Sequence, residues 1–315
     1  MDTVRVAVAQ LASVFADKQA CIEKTAAAIR EAGAEGAALI LLPEVMIPGY
    51  PRGFSYGATV GNRSLAGRKD FERYWKSSMS LDDSETQPLR EAAQEAGAYV
   101  VVGISERSGE GNGGTLYNSL LYIGPAGDVL GLHRKLVPTA AERLIWGRGD
   151  GSTLSTVDAP FGRIGGLICW ENYMPLARMA MYAQGLSIYL APTADQRDSW
   201  QATLRHIACE GRCFVLGCNQ YFTCSMYPQD LALYDELADL PEELCRGGSA
   251  IVDPFGEYVC PPLYGKEGLL YADLDLRKIH QGHLDFDVVG HYNRPDVFAF
   301  SVNDKPKRAM TRAAL

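Results

Sequence analysis

In VRVAVAQLA, residues 4–12, valines stand at positions 4, 6 and 8, and only Arg5 and Gln10 interrupt the apolar character. That period of two predicts a first strand. The following stretch, KQACIEKTAAAIREAGAEG (18–36), brings apolar residues back at spacings of three and four. This predicts a helix that Gly33 and Gly36 end. AALILLP (37–43) is continuously apolar, as a strand covered on both faces must be.

The alternation then recurs. TQPLREAAQEAGA (86–98) predicts a helix and YVVVGISER (99–107) a strand, while TLYNSLLYIG (115–124) and VLGLHRKL (129–136) flank an Ala-Gly-Asp turn as a strand pair. GRIGGLIC (162–169), LSIYLAP (186–192) and CFVLGCNQ (213–220) are strands separated by the helical stretches PLARMAMYAQG and WQATLRHIACEG. GGSAIVDPFGEYVC (247–260) turns at Asp253-Pro254-Phe255-Gly256 as a hairpin, and GLLYADLDL (268–276) supplies a late strand. Such an order predicts an α/β fold with mixed strand pairings.

Two stretches lack a period: residues 48–82, rich in aromatics and glycine, and residues 223–246. Loops of that length are commonly functional or mobile. No linker or fixed repeat divides the chain, so residues 1–300 read as one domain. The polar, basic residues 301–315 read as a tail that is loose or meets another subunit.

Composition narrows the function. The 315 residues exceed the roughly 150 of an average domain, but large α/β domains reach this size. A formal charge of -8 argues against nucleic acid as a partner, which calls for a concentrated basic surface. No run is apolar enough to span a bilayer, and MDTVRVAVAQLASVF lacks the regions of a secretory signal. Eight cysteines without such a signal point to free thiols in a reducing, cytoplasmic compartment.

Several motifs lose their force in context. GEGNGG (109–114) has the spacing of a dinucleotide loop, but a strand pattern follows it where the phosphate-binding helix is required. Cys209, Cys213, Cys218 and Cys224 have no tetrahedral metal spacing, and the five histidines form no metal pattern. Neither a metal nor another cofactor is therefore expected. G-x-S-x-G and the Walker loop are absent from the sequence.

The strand ends are more informative. Cys169 closes GRIGGLIC, just ahead of a helix that Pro175 suits as a first-turn residue. The carboxyl end of a central strand faces the crevice where ligands bind in open α/β sheets. By itself such a cysteine is more often core packing than a nucleophile, since free cysteine is among the most buried residue types. Glu44 follows LILLP, and Lys135 ends VLGLHRK. Each has an ordinary alternative as a cap, a salt-bridged loop residue or a solvated charge. Together, a thiol, an ammonium and a carboxylate make a coherent machine: the lysine favours thiolate, and the carboxylate accepts the proton and later activates water.

With Glu44, Lys135 and Cys169 in that chain order, the sequence resembles the nitrilase superfamily and its Glu-Lys-Cys triad. LLPEVMIPGYPRGF, HRKLVPTAAERLIWGRGDGSTL, GGLICWENYMPLARMAMYAQG, APTADQRDSWQATLRHIACEGRCFV and DFDVVGHYNRPDVF carry the resemblance from the first strand to about residue 300. It implies a four-layer αββα sandwich and homodimers that build longer spirals. It also implies a second glutamate, Glu142 in TAAERLIWG, whose alternative partners are Arg143 and Arg148.

CWEN followed by MPL is most similar to plant-type and related bacterial nitrilases, which include enzymes acting on β-cyanoalanine. The implied reaction takes a small-molecule nitrile to its acid and ammonia through a thioimidate and a thioester. Glu44 acts as base, Lys135 stabilises charge on nitrogen, Glu142 shares later proton transfers and Trp170 borders the substrate. An amidase or carbamoylase with the same triad, release of the amide, and an inactive filament-forming or binding protein stand as alternatives. Residues 223–246 match least and bear on substrate choice.

Overall fold

A computed structural model describes residues 2–109 and 113–307. Glu110, Gly111 and Asn112 of the glycine motif, and residues 308–315 of the tail, lie outside the described residues.

The first sheet comprises β1 (Thr3–Gln10), β2 (Leu39–Leu41), β5 (Tyr99–Arg107), β6 (Leu116–Ile123), β7 (Val129–Arg134) and β15 (Gly268–Asp275), in the order β15-β1-β2-β5-β6-β7, where β3 (Ala58–Thr59) and β4 (Asn62–Arg63) form a separate small hairpin. β1, β2 and β5 run parallel, and their neighbours antiparallel. In the second sheet β8 (Val157–Ala159), β9 (Gly162–Gly166), β10 (Leu186–Pro192), β11 (Phe214–Cys218), β12 (Tyr221–Thr223) and β13 (Glu243–Val252) follow the order β12-β13-β11-β10-β9-β8, with β14 (Tyr258–Tyr264) also on β13. The central β9, β10 and β11 are parallel.

The period of two in β1 now has its cause. Val4, Val6 and Val8 enter the layer between the sheets, where Leu39, Leu41 and Val101 meet Ile164, Ile188, Leu190, Phe214 and Leu216. Ala7 and Ala9 face the other way, toward α1 (Lys18–Ala34) and α3 (Asp83–Ala96). Beyond the second sheet, Tyr189, Ala191 and Val215 pack on α4 (Pro175–Tyr182) and α5 (Asp198–Gly211) through Met181, Trp200, Leu204 and Ile207. The result is the four-layer αββα sandwich that the resemblance implied. Removing each large aliphatic side chain from water contributes about 1.5–3 kcal/mol, so neither sheet can lose its outer helices cheaply.

Three details differ from the sequence reading. Gly33 does not end α1 but lies within it, where a Cβ would come 2.4 Å from Ala96 Cβ, so its role is close approach of α1 to α3. β2 is only three residues long, because the chain turns away after Pro43. Gly103 in β5 makes room for that turn, since a Cβ there would stand 2.2 Å from Pro43 O. The stretch 48–82 contains a helix, α2 (Leu65–Ser77), capped by Ser64 Oγ, which accepts from Gly67 N at 3.0 Å. Only Gly67, Asp70 and Tyr74 of α2 are buried, so its polar surface hides the helical period.

The two irregular stretches interlock at one end of the sandwich. Asp70 accepts from the Ala232 and Leu233 amides, and Glu236 from Ser55 N and Oγ, both at 2.9 Å. Phe54 meets Tyr227 edge to face at 4.9 Å. This aromatic end wall, with Phe15, Tyr74 and Trp146, takes in Val45, a few residues past the end of β2. Past α6 (Arg277–His283), the chain is mostly exposed, and the Lys307 amide donates to Asp150 Oδ2 at 2.6 Å.

Candidate active site

Glu44, Lys135 and Cys169 follow β2, β7 and β9, and all three are buried. Lys135 Nζ donates to Glu44 Oε1 and to Glu142 Oε2, each at 2.8 Å. Asn118 Nδ2 also donates to Glu44 Oε1, at 2.7 Å, while the buried Glu44 Oε2 has no partner among the described residues. Glu142 pairs with neither Arg143 nor Arg148. It sits in the 3-10 turn Ala140–Leu144, where its carboxylate also accepts from Thr139 N at 2.8 Å and Tyr50 OH at 2.7 Å.

Cys169 opens a 3-10 turn, Cys169–Tyr173, with φ at +53°. A non-glycine residue in that region carries a cost of about 1–3 kcal/mol, so the surroundings must impose it. Asn172 Nδ2 donates to the carbonyls of Leu167 and Cys169 at 3.0 and 2.8 Å, and Tyr189 OH donates to Asn172 Oδ1 at 2.8 Å. Arg178 Nη1 donates to Asn172 O at 2.5 Å, while its guanidinium is paired with Glu210. Thr193 Oγ1, just beyond β10, donates to Cys169 Sγ at 3.1 Å.

A third buried carboxylate joins the cysteine turn to the lysine strand. Glu171 accepts from Ile168 N at 2.7 Å, Leu136 N at 2.5 Å and His133 Nε2 at 3.0 Å. His133 Nδ1 lies 3.0 Å from Thr153 O, another acceptor. With acceptors at both ring nitrogens, the ring is satisfied as the imidazolium. Burial opposes that charge, but Glu171 outweighs it and raises the His133 pKa.

The electrostatics of the cluster follow from burial and from the charges packed together. Burial pushes the Cys169 thiol up to about 12; Glu44 adds to this and Lys135 opposes it. Lys135 thus favours the thiolate, as expected of an ammonium beside a thiol, against the larger effect of burial. Burial also raises Glu44, against the pull of Lys135. For Lys135 the desolvation cost is outweighed by Glu44, Cys169 and Glu142, which keep it an ammonium. In a dry pocket such a fixed charge acts far more strongly than in water.

A cleft of about 300 Å³ opens beside Cys169, lined also by Tyr50, Arg52, Glu142, Trp170 and Asp195. Trp170 is 39% exposed and so is not a core aromatic. Its Nε1–H donates to Asp195 Oδ2 at 2.9 Å, and the Arg197 guanidinium sits 4.9 Å from its ring centroid. A smaller space of about 10 Å³, near the size of one water, lies among Glu44, Tyr50, Thr193 and Asn219. Among the described residues no three His, Cys, Asp or Glu side chains are grouped to hold a metal.

Thr193, Asn118, Tyr50 and Arg52 are site residues that the sequence reading did not single out. Thr193 carries the same signal as Cys169, a polar residue at the carboxyl end of a central strand. Asn118 lies inside β6, and Tyr50 and Arg52 lie in a stretch without a period, so position along the chain does not mark them.

The carbon-nitrogen hydrolase family model matches residues 5–283. An aliphatic nitrilase of Sinorhizobium fredii (strain HH103) is 50% identical over 315 residues, covering all of both chains. A bifunctional nitrilase/nitrile hydratase of Lupinus angustifolius is 44% identical across 98% of this chain and 88% of its own. Among solved structures, a carbon-nitrogen hydrolase from Helicobacter pylori G27 superposes with a TM-score of 0.72 at 18% identity, covering 94% of this chain and 97% of that one. At that identity the likeness concerns the fold alone.

Proposed function

The chain belongs to the carbon-nitrogen hydrolase family, and from that premise we propose that it is a nitrilase converting a small organic nitrile to its carboxylic acid and ammonia. The observation that carries this reading is the buried ammonium of Lys135 held between Glu44 and Glu142 beside a thiol on a strained turn. The family match and the relatives named nitrilases support the nitrile as substrate.

Glu44 takes the Cys169 proton as sulfur attacks the nitrile carbon, giving a thioimidate. The free Oε2 of Glu44 supports that role, since its other oxygen is engaged by Lys135 and Asn118. Negative charge developing on nitrogen meets the Lys135 ammonium and the Trp170 amide. Water activated by Glu44 then adds, ammonia leaves and a thioester remains; a second water releases the acid. Glu142 keeps the lysine in place and, facing the cleft, shares the later proton transfers. Soft sulfur suits this weak electrophile better than a serine oxygen.

Loss of sulfur rather than ammonia from the tetrahedral intermediate releases the amide instead. The relative named as both nitrilase and nitrile hydratase supports looking for that product. In this reading residues 1–300 form one catalytic domain with a tail at 301–315, Trp170 borders the substrate, and the enzyme assembles as dimers that extend into spirals. The free cysteines support a cytoplasmic setting. Measuring ammonia from a nitrile and from its matching amide tests the assignment: a nitrilase releases it from the nitrile, an amidase from the amide, and a binding protein from neither.

A further inference from the structure

Most charged side chains that reach the cleft have partners. Glu142 is paired with Lys135, and Asp195 and Arg197 are paired with each other, with the Trp170 indole also on Asp195. Arg52 differs. It lines the 300 Å³ cleft with Cys169, and it also lines the adjoining one of about 420 Å³ with Phe54 and Trp146. Among the described residues its guanidinium has no carboxylate partner. One Nη2–H donates to the carbonyl of Ala194, Cys245 accepts another contact, and Cζ lies 5.5 Å from the Tyr50 ring centroid.

These contacts position the guanidinium without neutralising it. An arginine has five N–H donors in a planar fork that matches a carboxylate, and a neutral carbonyl and a sulfur leave part of that fork unmatched. A half-buried cation held toward a cleft without a counter-ion gains most from an anion that the ligand brings. On the nitrilase reading, the nitrile carbon must sit at Cys169, so the anion lies further along the same molecule. We propose that Arg52 recognises a carboxylate on the carbon chain of the substrate, which makes cyano-carboxylates the preferred nitriles of this enzyme.

The competing role for Arg52 is to balance the triad, where Glu44 and Glu142 outnumber Lys135 by one charge. The two roles separate on a matched pair of substrates. 4-Cyanobutanoate and 5-methylhexanenitrile share a shape and differ in charge. The wild type should favour the carboxylate in kcat/KM, chiefly through KM, by about 10- to 100-fold, the worth of a charge-assisted hydrogen bond. Arg52→Gln should collapse that ratio, and Arg52→Lys should restore part of it; thermal melts establish that both variants fold.

A Cys169→Ala protein supplies an arm that needs no turnover: calorimetry should detect binding of 4-cyanobutanoate and its loss when Arg52→Gln is added. Equal kcat/KM for the two nitriles in the wild type, or an equal fall for both in Arg52→Gln, would overturn the proposal. If neither nitrile yields ammonia while Cys169→Ala still binds the anion through Arg52, the nitrilase assignment fails and anion recognition stands.

Discussion

His133 and Glu171 meet at 3.0 Å with both side chains fully buried, and through this contact the strand that delivers Lys135 is fastened to the turn that delivers Cys169. Breaking one partner of a buried ion pair costs about 3–5 kcal/mol. Glu171→Gln should therefore lower Tm strongly and reduce turnover, although neither residue reaches the cleft lining. Unchanged stability and kcat would show that the tie is incidental.

The same pair predicts a pH signature. The His133 pKa in the folded protein lies above the ordinary histidine value of 6.5. Its stabilisation is therefore fully present below pH 6.5 and is lost as pH rises through the folded-state value. Melts of wild type and His133→Gln should show a Tm gap that is widest below pH 6.5 and narrows as the solution is made more alkaline. A gap that widens with pH would reverse the sign.

Glu44→Gln separates base catalysis from electrostatics. After burial, Glu44 does most to keep the Cys169 thiol protonated, so its removal should speed alkylation of Cys169 by iodoacetamide at pH 8. Turnover should nevertheless fall by about 10²- to 10⁴-fold, the range for loss of a general base. Faster alkylation with normal turnover would remove Glu44 from the mechanism.

Lys135→Met leaves Glu44 and Glu142 buried without their cation, and the stability loss should be about 3–5 kcal/mol. Adding Glu142→Gln should return much of that stability by removing one uncompensated charge, while turnover stays lost because no ammonium faces the reacting nitrogen. Chemical denaturation and ammonia release check the two halves. A double variant as active as wild type would contradict the role given to Lys135.

The layers were legible in the sequence because burial on two faces forces continuous apolar strands and helical spacing in what covers them. Glu44, Lys135 and Cys169 were legible for a related reason: each is a reactive group placed where an apolar strand ends. Their mutual geometry was not. The hydrogen bonds from Lys135 to both glutamates, and the φ of Cys169, depend on contacts between residues far apart in the chain, such as Asn118 with Glu44 and Tyr189 with Asn172. The helix at Leu65–Ser77 escaped because so little of it is buried.

We predict that Trp170 bears on substrate size. The residue is part of the cleft wall and is held by Asp195 and Arg197, so Trp170→Ala should enlarge the cleft and shift preference toward bulkier nitriles. Each methylene-scale contact is worth about 1–3 kcal/mol in discrimination. A panel running from short aliphatic dinitriles and β-cyanoalanine to phenylacetonitrile and a larger arylaliphatic nitrile reads the shift. An unchanged ranking in a folded variant would remove Trp170 from substrate selection.

The central claim is covalent catalysis by Cys169, and rapid-quench mass spectrometry of the intact protein during nitrile turnover tests it most directly. A single adduct with the mass of a thioimidate or thioester should appear, map to the peptide containing Cys169, decay as acid and ammonia are released, and be absent from Cys169→Ser. Mapping of the adduct to Cys209 or Cys213, or full turnover by Cys169→Ser with no adduct, would contradict it.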